Sequence, residues 1–107
     1  MAFSEFEARR LAKVVGDFIE KRRPPAHLRE QLDLIFAIEG QSVFLLEKRR
    51  LMEGEMIERP FAKATWVQTQ QAWKLYWQRA DLQWHRYQPT ATVATIEAFC
   101  DVVEEDL

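Results

Sequence analysis

Residues 62–87 read AKATWVQTQQAWKLYWQRADLQWHRY and contain all four tryptophans of the 107-residue chain. β-branched and aromatic residues are frequent in this stretch, as they are in strands. A two-residue loop at residues 69–70, the commonest length for a hairpin connection, places Trp66 opposite Trp73. The stretch therefore begins with a predicted antiparallel hairpin.

A third strand is predicted over residues 82–87, after a turn at Ala80 and Asp81 that places Trp77 opposite Trp84. Side chains alternate between the two faces of a strand with period two. One face of the predicted sheet is therefore apolar and buried, and it carries Trp66, Trp73, Leu75, Trp77 and Trp84.

The opposite face of these strands mixes cations with aromatic rings. Single-stranded nucleic acid is held by such surfaces, through base stacking on the rings and phosphate contacts from Lys and Arg. An ordinary solvated sheet face explains the same pattern, and a pI near 5.7 is low for a nucleic-acid-binding domain. The candidate ligand-binding residues are Lys63, Lys74, Tyr76, His85 and Tyr87.

A helix is predicted at each end of the chain. Ser4 and Glu7 form a capping box at the start of the first helix, and Pro24 follows its basic last turn. Thr95 caps the second helix. Apolar residues at helical spacing mark the buried faces, namely Leu11, Val14, Val15, Phe18 and Ile19 in the first helix, and Ile96, Phe99, Cys100 and Val103 in the second.

A further hairpin is predicted from residues 32–39 and 42–50, joined at Gly40. Its apolar residues lie on both faces, so the face that does not meet the core needs cover from another element or a second chain. The sequence thus predicts a homodimer or a protein partner that contacts Ile35, Phe44 and Leu46. Residues 51–59 are predicted to form a loop.

These elements predict an α+β fold with an N-terminal helix, an antiparallel meander of about five strands and a C-terminal helix. A length of 107 residues fits a single domain over residues 1–107. No apolar run approaches the roughly 20 residues of a membrane span, and the N-terminus does not resemble a secretory signal. Because the lone Cys100 has no partner for an internal disulfide, a cytoplasmic protein is expected.

No cofactor, metal site or catalytic residue is predicted, and an enzymatic role is less expected than a binding role. The chain has two histidines, no zinc-type Cys/His spacing and only three glycines. A metal-dependent hydrolase of the nuclease type is the alternative, because Asp33 and Glu47 lie on adjacent predicted strands. The register places these two carboxylates on opposite faces, which disfavours a shared metal.

The charges are unevenly distributed along the chain. Residues 1–89 contain 15 basic and 12 acidic residues, a net charge of +3, while residues 90–107 contain 5 acidic and no basic residues. The acidic segment is either a solvated helix end or a segment that masks a basic surface.

Three stretches resemble a known family. They are residues 31–33 (QLD), residues 38–42 (IEGQS) and residues 76–87 (YWQRADLQWHRY), the last being the most specific. They are similar to the bacterial family called domain of unknown function 3024, over nearly the whole chain. The resemblance implies a soluble bacterial protein of one domain and assigns no catalytic residue.

Overall fold

The computed structural model describes residues 3–106. Its helices and strands, in chain order, are α1 (Glu5–Arg22), β1 (Leu32–Glu39), β2 (Ser42–Arg50), β3 (Met56–Val67), β4 (Ala72–Gln78), β5 (Trp84–Arg86), β6 (Thr92–Val93) and α2 (Ile96–Asp106). All neighbouring strands are antiparallel in the order β1-β2-β3-β4-β5, and β6 pairs with β4. This arrangement confirms the predicted α+β class.

The two helices begin where the sequence predicts. The Ser4 hydroxyl accepts a hydrogen bond from the Glu7 backbone N–H at 3.1 Å, and the Glu7 carboxylate accepts one from the Ser4 backbone N–H, so the capping box is confirmed. The Thr95 hydroxyl accepts a hydrogen bond from the backbone N–H of Ala98. Neither helix described between residues 3 and 106 is long and apolar enough to cross a membrane.

The hydrophobic core lies between one face of the sheet and the two helices. It contains side chains from α1, from the central strands and from α2, among them Val15, Leu45, Ala64, Trp73, Leu75, Phe99 and Val103. We call the opposite sheet face, which no helix within residues 3–106 covers, the outer face.

The prediction of a loop over residues 51–59 is wrong beyond residue 55, because β3 already begins at Met56. Pro60 lies inside this strand although proline cannot donate a ladder hydrogen bond. The strand accommodates it because the pairing with β4 ends at Ala62, so Pro60 has a neighbouring strand on one side only. The β2–β3 register also shifts between Leu45 and Leu46, where Phe61 is the extra residue of a bulge.

The predicted register between β3 and β4 is confirmed, with Trp66 opposite Trp73 and Ala64 opposite Leu75. The connection is longer than predicted, because pairing stops at Val67 and a short 3₁₀ turn follows. Gln71 closes that turn in the left-handed conformation, with φ of 50°. The loop grows by two residues, one from each strand, and this leaves the alternation of faces unchanged.

The register between β4 and β5 differs from the prediction by one residue. Gln78 pairs with Trp84 and Trp77 pairs with His85, so five residues rather than two or four connect the strands. Leu82 takes the extra position with φ of 62°. The carboxylate of Asp81 accepts a hydrogen bond from the backbone N–H of Gln83 at 2.9 Å, which fixes this wider loop.

This shift corrects the prediction that all four tryptophans share a buried face. Trp84 lies on the outer face, since a displacement of one residue exchanges the faces of a strand. Trp73 is buried in the core beside Trp66, whereas Trp77 is 40% exposed at the end of the helix-covered face.

Candidate nucleic-acid interface

Rings and cations form a row across the outer face. Phe44 pairs with Lys63, Lys63 with Tyr76, and Tyr76 with Arg86, so one side chain from each of β2, β3, β4 and β5 takes part. Lys74 lies two residues before Tyr76 and therefore on the same face. The antiparallel register alone brings these groups together.

The ammonium group of Lys63 lies among three aromatic rings. Its Nζ is 4.7 Å from the ring centroid of Trp84, 4.8 Å from that of Tyr76 and 5.8 Å from that of Phe44. All three distances lie within the range of cation–π attraction. Burial lowers the pKa of Lys63 from its ordinary value.

Trp84 connects the two sides of the outer face. Although Trp84 belongs to β5, its ring centroid lies 6.0 Å from that of Phe44 on β2, so the indole reaches over β4 and β3. The result is a cluster of three aromatic rings around one cation, and all four side chains are half-buried.

The outer face is more basic than the chain as a whole. Within residues 3–106 no salt bridge is made by Lys48, Lys63, Lys74 or Arg86, all of which point to this face. Of the acids that alternation puts on the same face, Asp33 is bound by Arg23, while Glu39 and Glu58 have no salt bridge within residues 3–106, so the unpaired cations outnumber the unpaired acids by four to two. The local charge therefore favours an anion despite the net charge of −2.

The structure brings together three of the five candidate residues, Lys63, Lys74 and Tyr76. The expectation that His85 and Tyr87 share their face is wrong, because the register shift turns both toward the helix-covered face. The His85 Nε2 lies 2.9 Å from a carboxylate oxygen of Asp81.

Tyr87 packs edge-on against Trp77, with ring centroids 5.8 Å apart. Burial raises the pKa of Tyr87, and the nearby charge of Asp106 raises it further.

Sequence reasoning missed Phe44, Trp84 and Arg86 as members of the polar surface. The sequence predicts Phe44 on a separate apolar surface, yet β2 pairs with β3 and the two predicted surfaces form one face. The only residue in the sequence that indicates the face on which Trp84 and Arg86 lie is Asp81, because its side chain favours a hydrogen bond to the local backbone. A leucine in the left-handed conformation has no comparable signal in the sequence.

The outer face becomes apolar toward β1. Ile35 and Leu46 are cross-strand partners beside Phe44, and all three are half-buried. Within the described residues β1 pairs with β2 alone, so its other edge is open.

The acidic C-terminal helix does not lie on the outer face. Glu97 is ion-paired with Arg10, and Glu104 with Arg22 at 3.0 Å, so two of the five acids of α2 contact α1. These contacts hold α2 on the helix-covered side of the sheet, away from Lys63.

The remaining chemically notable groups have structural partners. Both carboxylate oxygens of Asp33 accept hydrogen bonds from Arg23, at 2.9 and 2.7 Å, and Glu47 pairs with Arg49 at 3.2 Å. Cys100 is buried in the core, and burial raises the pKa of its thiol to about 11. Among residues 3–106, no group of three His, Cys, Asp or Glu side chains is arranged to hold a metal ion.

An antiparallel sheet with two helices on one face and rings and cations on the other defines a small α+β domain with an open sheet surface. The family model Domain of unknown function (DUF3024) matches residues 3–107, and the chain belongs to this family. The resemblance found in the sequence is thus confirmed. No curated protein and no solved structure matches the chain.

Proposed function

We propose that the protein is a non-enzymatic binding module that holds single-stranded nucleic acid on the outer face. The observation that carries the proposal is the Lys63 ammonium among the rings of Phe44, Tyr76 and Trp84, on an open sheet. Rings offer stacking surfaces to bases of any sequence, and nearby cations contact phosphates. The basic outer face supports this role, although the pI of the whole chain does not.

The test is a titration of labelled single-stranded RNA and DNA at low ionic strength. Tyr76→Ala and Trp84→Ala each remove a ring, so each is expected to weaken binding by about 1–3 kcal/mol. Lys74→Ala removes one phosphate contact, so it should weaken binding and reduce the slope of log affinity against log salt by about one.

The matched control is His85→Ala. His85 lies beside Trp84 in the same strand, but it faces the other side, so its removal should leave the affinity unchanged. No binding of the unmodified protein at tens of micromolar, or equal losses for Trp84→Ala and His85→Ala, would refute the proposal.

The apolar half of the outer face supports a second candidate role, self-association through Ile35, Phe44 and Leu46. The supporting observation is the open edge of β1, an eight-residue strand whose centre has no charge, proline or bulge to discourage pairing. A second copy fits because β1 of one chain can pair antiparallel with β1 of the other across a two-fold axis.

A metal-dependent hydrolase is the weaker alternative. It would need Asp33 as a ligand, and Arg23 already binds both oxygens of that carboxylate. We also infer a cytoplasmic setting in a bacterium, which the single cysteine and the family resemblance support.

A further inference from the structure

A cleft of about 230 Å³ lies on the helix-covered side of the sheet, where the end of α2 meets β4 and Tyr87. Its floor consists of the buried side chains of Leu75, Phe99 and Val103. Phe61 and Trp77 form aromatic walls. Its volume is that of about eight water molecules in the liquid, which suits a ligand of about ten non-hydrogen atoms.

Trp77 lines this cleft and is 40% exposed. Trp73, two strand positions away on the same face, is 6% exposed, so the sheet is able to bury an indole fully. Tyr87 packs against Trp77 in a T-shaped arrangement, with ring centroids 5.8 Å apart and ring planes at 77°. A large exposed ring beside an apolar cavity is typical of a ligand site.

The cleft has one sign of charge. Carboxylates of Glu47 and Asp106 line it, and no Lys, Arg or His among the described residues does. Glu47 is ion-paired with Arg49, but Asp106 has no salt bridge within residues 3–106. Asp106 also stands at the C-terminal end of α2, where the helix dipole favours cations and the last turn contains no basic residue.

We propose that this cleft binds a small apolar cation, an ammonium group joined to a short aromatic or aliphatic body. The body packs against Leu75, Phe99 and Val103, and the ammonium lies between the exposed indole of Trp77 and the carboxylate of Asp106. Cation–π attraction and charge then act on the same group. A phosphate or carboxylate ligand is disfavoured by the same acids, so this site differs from the outer face in both position and ligand.

The test compares two probes of equal shape, 2-phenylethylammonium and the neutral 2-phenylethanol, by titration followed through backbone amide shifts. The ammonium is expected to bind about three- to tenfold more tightly, from the cation–π and charge contributions. Shifts should centre on Trp77, Tyr87 and Val103. They should saturate below about 10 mM, an affinity suited to so small a ligand.

Two variants of α2 make the comparison specific. Asp106→Asn should remove most of the preference for the ammonium and leave the binding of the alcohol unchanged. Asp101→Asn, the same change on an exposed position of the same helix outside the cleft, should leave the preference intact. Trp77→Leu should weaken the binding of the ammonium more than the binding of the alcohol.

Equal affinity for the two probes overturns the proposal. So do shifts centred outside the cleft, equal effects of Asp106→Asn and Asp101→Asn, or no saturable binding of either probe. These results do not depend on the RNA titration, because the two sites lie on opposite faces of the sheet.

Discussion

The four tryptophans occupy four different environments. Trp73 is buried at the centre of the core, and Trp66 lies beside it at a centroid distance of 5.4 Å. Trp77 borders the cleft, and Trp84 covers Lys63 on the outer face. Burial decides what each ring contributes to stability, so the four positions are not equivalent in mutagenesis.

Trp73→Ala is expected to lower the free energy of unfolding by about 3–5 kcal/mol, the usual cost of removing a buried tryptophan. Trp84→Ala should cost less than about 2 kcal/mol, because the ring contacts neighbours on one side and water on the other. Urea denaturation of both variants measures the difference. Equal losses would mean that Trp84 belongs to the core.

Asp33 is the one buried charged residue among residues 3–106. Its hydrogen bonds with Arg23 hold the pKa of the carboxyl below its ordinary value, against the opposing effect of burial. A carboxyl whose pKa is lower in the folded than in the unfolded protein stabilises the fold above its unfolded pKa. That stabilisation is lost as the pH falls through the folded pKa.

Asp33→Asn keeps the side-chain shape and removes the charge. The stability difference between the unmodified protein and this variant should be largest near neutral pH and shrink below about pH 4, the ordinary pKa of the unfolded carboxyl. Urea denaturation at a series of pH values measures it. Asp17→Asn, at an exposed ion pair with Lys13, is the control and should change stability little. A difference that is constant with pH would contradict this prediction.

At the scale of elements, the sequence predicts the outcome wherever local chemistry and the apolar pattern agree. The caps of both helices and the pairing of β1 with β2 follow from Ser4, Thr95 and Gly40. The β3–β4 register follows from the alternation around Trp66. The predicted register of β5 is wrong because it depends on the left-handed backbone of Leu82. Leucine as a residue type does not indicate that conformation.

The same reasoning explains what could be predicted of the candidate interface. Lys63, Lys74 and Tyr76 lie on strands whose register the apolar pattern fixes, and they are found together. Phe44 joins them only through the pairing of β2 with β3, which is a tertiary contact between two predicted hairpins. The pattern of one hairpin contains no information about the strand beside it.

The open edge of β1 has a consequence for assembly. Light scattering should give the mass of the 12.7 kDa monomer at low concentration and twice that mass as the concentration rises. Ile35→Lys places a charge at the centre of this edge, so it should keep the protein monomeric. Ala26→Lys adds the same charge at an exposed position outside the sheet, so it should leave self-association unchanged. A monomer at every concentration would exclude self-association.

At the scale of the whole molecule, α2 is held to the sheet by apolar burial and to α1 by two exposed ion pairs. Buried side chains contribute more than ion pairs in water. Val103→Ala is therefore expected to lower the free energy of unfolding by about 1.5–3 kcal/mol, and Glu104→Gln by less than about 1 kcal/mol. Thermal or urea unfolding measures both changes. A larger loss from Glu104→Gln would mean that charge pairing dominates the docking of this helix.

The five-residue loop between β4 and β5 also bears on how the family can diversify. If the five-residue loop is retained, deleting one codon from the segment 79–83 would bring His85 opposite Gln78 in place of Trp84 and exchange the two faces of β5. Trp84 and Arg86 would then leave the outer face, and His85 would enter it. A single in-frame deletion, without any substitution, would thus remodel both candidate ligand surfaces at once. The number of residues between Gln78 and Trp84 is therefore the feature to compare among natural variants.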